Sequence, residues 1–164
     1  MATTELGGNP AHTVGELPPI GDQAPDFTLV DTDLKEFSLA DLPGRKLLSI
    51  FPSIGTGVCQ AGLRNFNKVA AGIEGTTVLN ISMDLPFAVR DFCAAEGIDD
   101  VLVGSAFRSP FGDDYGMRLL DSKFEGLLAR SVVVLDEDNR VVYTEVVPSI
   151  SQEPDYDAAI AALR

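Results

Sequence analysis

Lys46-Leu47-Leu48-Ser49-Ile50-Phe51 runs directly into Pro52-Ser53-Ile54-Gly55-Thr56-Gly57-Val58-Cys59, and this stretch decides how the chain folds. The first six residues form an apolar run of strand length, typical of a central strand covered on both faces. Pro52 stops it and a Gly-containing loop follows. From Val58 to Ile73 the pattern becomes helical, with Leu63, Phe66, Ala70 and Ile73 on one stripe. Cys59 lies one turn before Leu63 on that stripe, so its thiol is expected to face inward at the helix start. A sulfur placed there meets the positive end of the backbone dipole and unpaired N–H groups, both of which favour the thiolate, the reactive form.

Outward from this unit the chain reads as one domain, 1–164, with residues 1–22 as an N-terminal hairpin or extension. That extension is rich in Gly and Pro, and Gly8-Asn9-Pro10 suggests its turn. Phe27-Thr28-Leu29 and Phe37-Ser38-Leu39 alternate as short half-buried strands. Leu42-Pro43-Gly44-Arg45 makes a turn, Gly75 ends the first helix, and Thr76 to Met83 is a second core strand. Pro86 opens a second helix with Leu85, Ala88, Phe92 and Ala95 as its apolar face. Cys93 sits at the border of that face, between Arg90 and Glu96. Val101–Val103 is a short strand and Pro110–Tyr115 a helical turn. Ser131–Leu135 and Arg140–Val146 flank Asp136-Glu137-Asp138-Asn139 as a hairpin. Pro154 opens a last helix with Tyr156, Ala159, Ile160 and Leu163 on one face. Strands separated by helices imply a parallel core, to which the terminal hairpin adds antiparallel strands. The expected class is α/β: a thioredoxin-like fold with a mixed central sheet flanked by helices and an extra N-terminal β-hairpin.

Composition narrows the function. The net charge is −13, from 25 acidic against 12 basic residues. Nucleic acid and anionic membrane surfaces are therefore not expected partners, since both need clustered Lys and Arg. The N-terminus has neither a basic start nor an apolar run, so no signal peptide is expected, and no segment has the length of a membrane span. A cytoplasmic protein follows as the expectation, with thiols kept reduced and any disulfide catalytic rather than structural. Two cysteines and the single His12 make a poor zinc set, and no Cys-x-x-Cys is present.

Pro52, Thr56 and Cys59 form Pro-x-x-x-Thr-x-x-Cys. The amides of Gly57, Val58 and Cys59 are candidate donors to the sulfur. The Thr56 hydroxyl can donate a further hydrogen bond or hold a substrate oxygen; it equally suits a helix N-cap. Pro52 has no N–H and can shield the pocket, or simply stop the strand. Arg130 is the candidate cation. If Ser131–Leu135 runs antiparallel to Lys46–Phe51, its start lies beside the other's finish, where Cys59 emerges. A guanidinium there would stabilise both a thiolate and a developing oxyanion. A surface pairing with one of the many carboxylates is the other reading of Arg130.

These residues resemble the peroxiredoxins, and within them the thiol peroxidase subfamily (atypical 2-Cys type). Phe51-Pro52-Ser53-Ile54 and Thr56-Gly57-Val58-Cys59 are similar to its peroxidatic loop. Asp84-Leu85-Pro86-Phe87-Ala88 with Phe92-Cys93 is similar to its resolving helix. Gly126-Leu127-Leu128-Ala129-Arg130 and Glu153-Pro154-Asp155-Tyr156 match as well, and the spacing of 34 between the thiols suits the subfamily. Gly55 is a departure, since the subfamily usually has Asp there. The resemblance implies that Cys59 is the peroxidatic and Cys93 the resolving cysteine, with Thr56, Arg130 and Pro52 around the sulfur. It further implies reduction of hydrogen peroxide and organic hydroperoxides through a sulfenic acid and an intrachain Cys59–Cys93 disulfide. Thioredoxin or a similar dithiol would recycle that bond, without metal, haem or flavin, in a homodimer. Since the thiols sit on different helices, bridging them is expected to require local unwinding. The rival readings are a non-catalytic redox sensor using the same disulfide and a structural module with an inert buried Cys59. Repeated turnover separates the first, and thiol reactivity the second.

Overall fold

The computed structural model describes residues 1–98 and 101–164; the side chains of Ala70 and Ala71 lie outside the described set. A two-stranded pair, β1 (Thr3–Leu6) and β2 (Asn9–His12), stands apart from a seven-stranded sheet of order β4-β3-β7-β6-β5-β8-β9. The members of that sheet are β3 (Thr28–Val30), β4 (Glu36–Ser38), β5 (Arg45–Ile50), β6 (Thr76–Ser82), β7 (Leu102–Ser105), β8 (Ser131–Leu135) and β9 (Val141–Val146). The helices are α1 (Gly57–Gly72), α2 (Pro86–Glu96), the short α3 (Phe111–Asp114) and α4 (Tyr156–Ala162). Among the described residues, no helix is long and apolar enough to cross a membrane.

β5, β6 and β7 are parallel, while β8 runs antiparallel to β5 and β3 antiparallel to β7. The mixed sheet expected from the element order is thus present. The apolar residues of β5, Leu47, Leu48 and Ile50, divide between its two faces. Leu48 and Ile50 enter one core with Leu29, Leu79, Ile81 and Phe111, while Leu47 enters a second with Phe66 of α1, Ala159 of α4 and Leu163, which caps α4. Both faces are covered, and each fully buried Leu or Ile contributes about 1.5–3 kcal/mol. A third cluster lies between the start of α1 and α2 and contains Phe51, Ile54, Cys59, Leu63, Val89 and Val103.

Three local expectations are corrected. The N-terminal turn is Gly7–Gly8, both at positive φ as a two-residue hairpin turn demands, and Pro10 lies within β2. The last helix begins at Tyr156, capped by Asp155, whose side chain accepts from Ala158 N. The buried stripe of α2 is Pro86 and Val89, continued by half-buried Phe92 and Cys93; Ala88 and Ala95 are exposed, and Leu85 is an exposed N-cap. Alanines carry too little apolar area to set a helix's orientation against Pro86 and Val89. Cys93 is half-buried at the edge of that stripe, the border position expected of it.

Candidate active site

The site forms where the parallel strands end. Ser131 pairs with Ile50 across the antiparallel β5–β8 ladder, so Arg130 arrives beside the chain leaving β5. Phe51 and Pro52 are buried there, and the following turn delivers Thr56 to the N-cap of α1. The Thr56 side chain accepts from Cys59 N at 3.3 Å and donates to Ser53 O at 3.3 Å. The N-cap reading of Thr56 is the one this geometry realises, and the amide of Cys59, expected as a donor to the sulfur, is taken by the cap. Gln60 Nε2 meanwhile donates to Ile54 O at 3.0 Å, which ties the loop to the first turn.

Gly57 and Val58 behave differently. Among the described residues their N–H groups have no hydrogen-bond partner, as the first-turn donors of a helix do unless a ligand or water meets them. Together with Thr56 and Arg130 they line a cavity of about 100 Å³, with Leu6 and Phe124 as an apolar wall. Water occupies about 30 Å³ in the liquid, so a small peroxide fits. A larger hollow of about 320 Å³ between Arg64, Lys68 and Glu96 lies along α1 and is lined by neither cysteine.

Cys59, 1% exposed, lies at the third position of α1. Arg130, 4% exposed, donates from Nη2 to its Sγ at 3.1 Å. The same guanidinium is fixed by Ile150 O, which accepts from Nε at 3.0 Å and Nη2 at 2.9 Å. The ion pairs among the described residues are His12–Asp121, Arg64–Glu96, Arg90–Asp91, Arg108–Glu36 and Arg118–Asp113, so Arg130 is not held by a carboxylate. A guanidinium withdrawn from water must find hydrogen-bond acceptors. The Ile150 carbonyl and the Cys59 sulfur are the acceptors that meet it, and the reading of Arg130 as a surface pair is overturned.

Cys93 is half-buried and packs against the cluster that contains Cys59; both thiols are free. Burial pushes the Cys93 thiol up from its usual titration range, so near neutral pH it is the neutral partner. Arg64 clasps α2 to α1, pairing with Glu96 at 2.6 Å and lying over the Phe92 ring.

Two residues of the site were not picked out from sequence. Ile150 acts through its carbonyl, which carries no side-chain signal. Asp84 had a signal: it follows the carboxyl end of a parallel strand, where α/β proteins build their sites. Its carboxylate accepts from Ser53 Oγ at 2.8 Å and Ile54 N at 2.7 Å. Gly55, the departure from the family pattern, has an ordinary φ, and an added Cβ would meet only Ser53 Oγ at 3.4 Å, so the backbone does not require glycine there. Phe111 is core and Phe107 partly exposed, and neither lines this cavity.

Comparison with known proteins agrees with this architecture. The Redoxin family profile matches residues 19–160. A thiol peroxidase of Corynebacterium glutamicum is 57% identical over 164 residues, covering 99% of both chains. One from Mycobacterium tuberculosis is 51% identical over 164 residues, with the same coverage. Among solved structures, a peroxiredoxin-like protein from Aquifex aeolicus superposes with a TM-score of 0.93 at 35% identity, covering 99% of this chain and 96% of that one. A thiol peroxidase from Chromobacterium violaceum, at 21% identity, shares the fold with a TM-score of 0.92 and the same coverage. The chain belongs to the thiol peroxidase subfamily of the peroxiredoxins and is a peroxidase of the oxidoreductase class.

Proposed function

We propose that the chain reduces hydrogen peroxide and organic hydroperoxides by a two-thiol cycle in which Cys59 is peroxidatic and Cys93 resolving. The observation that carries this is the 3.1 Å contact between the buried Arg130 guanidinium and Cys59 Sγ at the start of α1. The Cys59 thiolate attacks the terminal peroxide oxygen, the O–O bond breaks, and the departing oxygen takes a proton to leave as water or an alcohol. Cys59 is left as a sulfenic acid. Arg130 and the unpartnered Gly57 and Val58 amides suit the charge developing on the peroxide oxygens. Thr56 holds the helix start, and buried Pro52 closes the rear of the site without offering a donor.

The Cys93 sulfur then attacks the sulfenic sulfur, water leaves, and a Cys59–Cys93 disulfide forms. The two thiols share one apolar cluster but belong to separate helices, so this step requires local unwinding of α1, α2 or both. Thioredoxin or a similar dithiol protein returns both cysteines to the thiol form and is itself oxidised. A reducing, cytoplasmic setting and a homodimeric state belong to the same reading. Steady-state peroxide reduction with thioredoxin and its reductase tests it. Wild type turns over repeatedly, Cys59→Ser is inactive, and Cys93→Ser reacts once and stalls. Continued turnover by Cys59→Ser would refute the assignment.

A further inference from the structure

Asp84 stands between the two reactive elements. It follows β6 and precedes Pro86, the first residue of the helix bearing Cys93, by two positions. Oδ1 accepts from Ser53 Oγ at 2.8 Å; Oδ2 accepts from Ile54 N at 2.7 Å and Ser82 Oγ at 2.8 Å. Its own carbonyl accepts from Ser105 Oγ of β7, and its amide donates to Ser82 Oγ at 3.3 Å. From Ser53 the bonds continue toward the nucleophile. Ser53 Oγ accepts from Gly55 N, and Ser53 O accepts from both the amide and the hydroxyl of Thr56. Thr56 Oγ1 in turn accepts from Cys59 N. A continuous hydrogen-bonded path therefore joins the start of α2 to the backbone of Cys59. Asp84 has no basic partner among the ion pairs of the described residues, so its carboxylate acts as an acceptor for this loop rather than as a counter-charge.

We infer that Asp84 is a positioning residue that opposes the two chemical steps to one another, favouring oxidation of Cys59 and slowing its resolution by Cys93. The inference rests on the two-thiol cycle proposed above. By fixing the Ser53–Thr56 turn, Asp84 seats the helix start that presents Cys59 to Arg130. By holding the loop against the first turn of α2, it makes the backbone separation needed for the disulfide more costly. Releasing the carboxylate loosens the seat and the latch together, so the two rates move in opposite directions.

The test uses Asp84→Asn, which keeps shape but exchanges one acceptor for a donor, and Ser53→Ala, which removes a single link. Oxidation of Cys59 by one equivalent of hydrogen peroxide is timed in a Cys93→Ser background. Disulfide formation is timed in the two-cysteine protein by rapid quench and mass spectrometry, and thermal melting is recorded for each variant. For Asp84→Asn, oxidation slows about tenfold, as misplacement of a reacting group predicts. Disulfide formation accelerates about tenfold, the effect of losing one hydrogen bond to a charged group. Ser53→Ala shows both signs at smaller size, and the double variant does not exceed Asp84→Asn, because the two residues act in one path. Leu29→Val, on the opposite face of the sheet, lowers the melting temperature and leaves both rates alone. The inference is overturned if both rates fall together, if neither moves, or if Leu29→Val reproduces the pattern. Should Asp84→Asn fail to fold, the signs for Ser53→Ala decide. Failure of the underlying cycle is seen separately, as wild type forming no Cys59–Cys93 disulfide.

Discussion

Replacing Arg130 by Met separates what the guanidinium does for the reaction from what it does for the fold. The side chain is almost wholly buried, so Met fills similar space while the charge and three hydrogen bonds disappear. Two of those bonds end on Ile150 O, and leaving that carbonyl unsatisfied costs about 1–3 kcal/mol. Against this stands the desolvation of a buried guanidinium, several kcal/mol in the folded state, which the variant no longer bears. The net change in stability is about 1 kcal/mol in either direction, roughly 2–4 °C in Tm for a chain of this size. The reaction has no such compensation. Removing a preorganised donor from a developing oxyanion typically costs about 10²–10³ in rate, or roughly 2.7–4 kcal/mol. The variant also loses the guanidinium contact to the Cys59 sulfur. Stopped-flow measurement of the second-order rate constant for Cys59 oxidation should therefore fall by about 10²–10³ in Arg130→Met. Arg130→Lys should fall by less, because an ammonium keeps the charge but cannot span Ile150 O and Cys59 Sγ as the planar fork does. Oxidation of Arg130→Met within threefold of wild type, in a folded protein, would refute the reasoning.

Thr56→Val removes the N-cap acceptor for Cys59 N, and chemical denaturation should show a loss of about 0.5–2 kcal/mol, with Thr56→Ser restoring most of it. Burial raises the Cys93 thiol, so the folded state keeps it neutral while the unfolded chain ionises first. That contribution to stability is intact below the ordinary thiol value of about 8.5 and is lost as pH rises through the raised one. Melting temperatures of wild type and Cys93→Ala should therefore converge on moving from neutral to alkaline pH. Gly116 sits at φ +72 with the Glu16 backbone against the position a Cβ would take, so Gly116→Ala should lower stability by about 1–3 kcal/mol or more in urea titrations.

Much of the architecture was legible because one face-to-face requirement generates it. A strand buried on both sides must be largely apolar, and Lys46–Phe51 is so apart from Lys46 and Ser49; Arg130 then follows from the antiparallel register of β8. The inward thiol of Cys59 was legible for the same reason, lying a turn from Leu63 on a stripe of large side chains. The α2 stripe was misread because its two flanking alanines satisfy helical periodicity without burying enough area to fix rotation, whereas Pro86 and Val89 do. Thr56 was ambiguous in sequence, since a hydroxyl at an N-cap can serve either backbone or sulfur; the cap takes it here. The carbonyl of Ile150 was invisible, because a main-chain acceptor leaves no trace in residue type. Asp84 stood just past a strand's carboxyl end and within the family resemblance, but its role needed the third dimension that brings residues 53 and 84 together.

The proposed cycle requires Cys59 to be the sulfur that meets peroxide and Cys93 the sulfur that follows. One equivalent of hydrogen peroxide added to reduced protein, quenched on the millisecond timescale and mapped by mass spectrometry, tests this directly. The predicted sequence is sulfenic acid at Cys59 first, trapped as such in Cys93→Ser, then a Cys59–Cys93 bond in wild type with the loss of one water. Oxidation appearing first at Cys93, or peroxide consumed as fast by Cys59→Ser as by wild type, would contradict it.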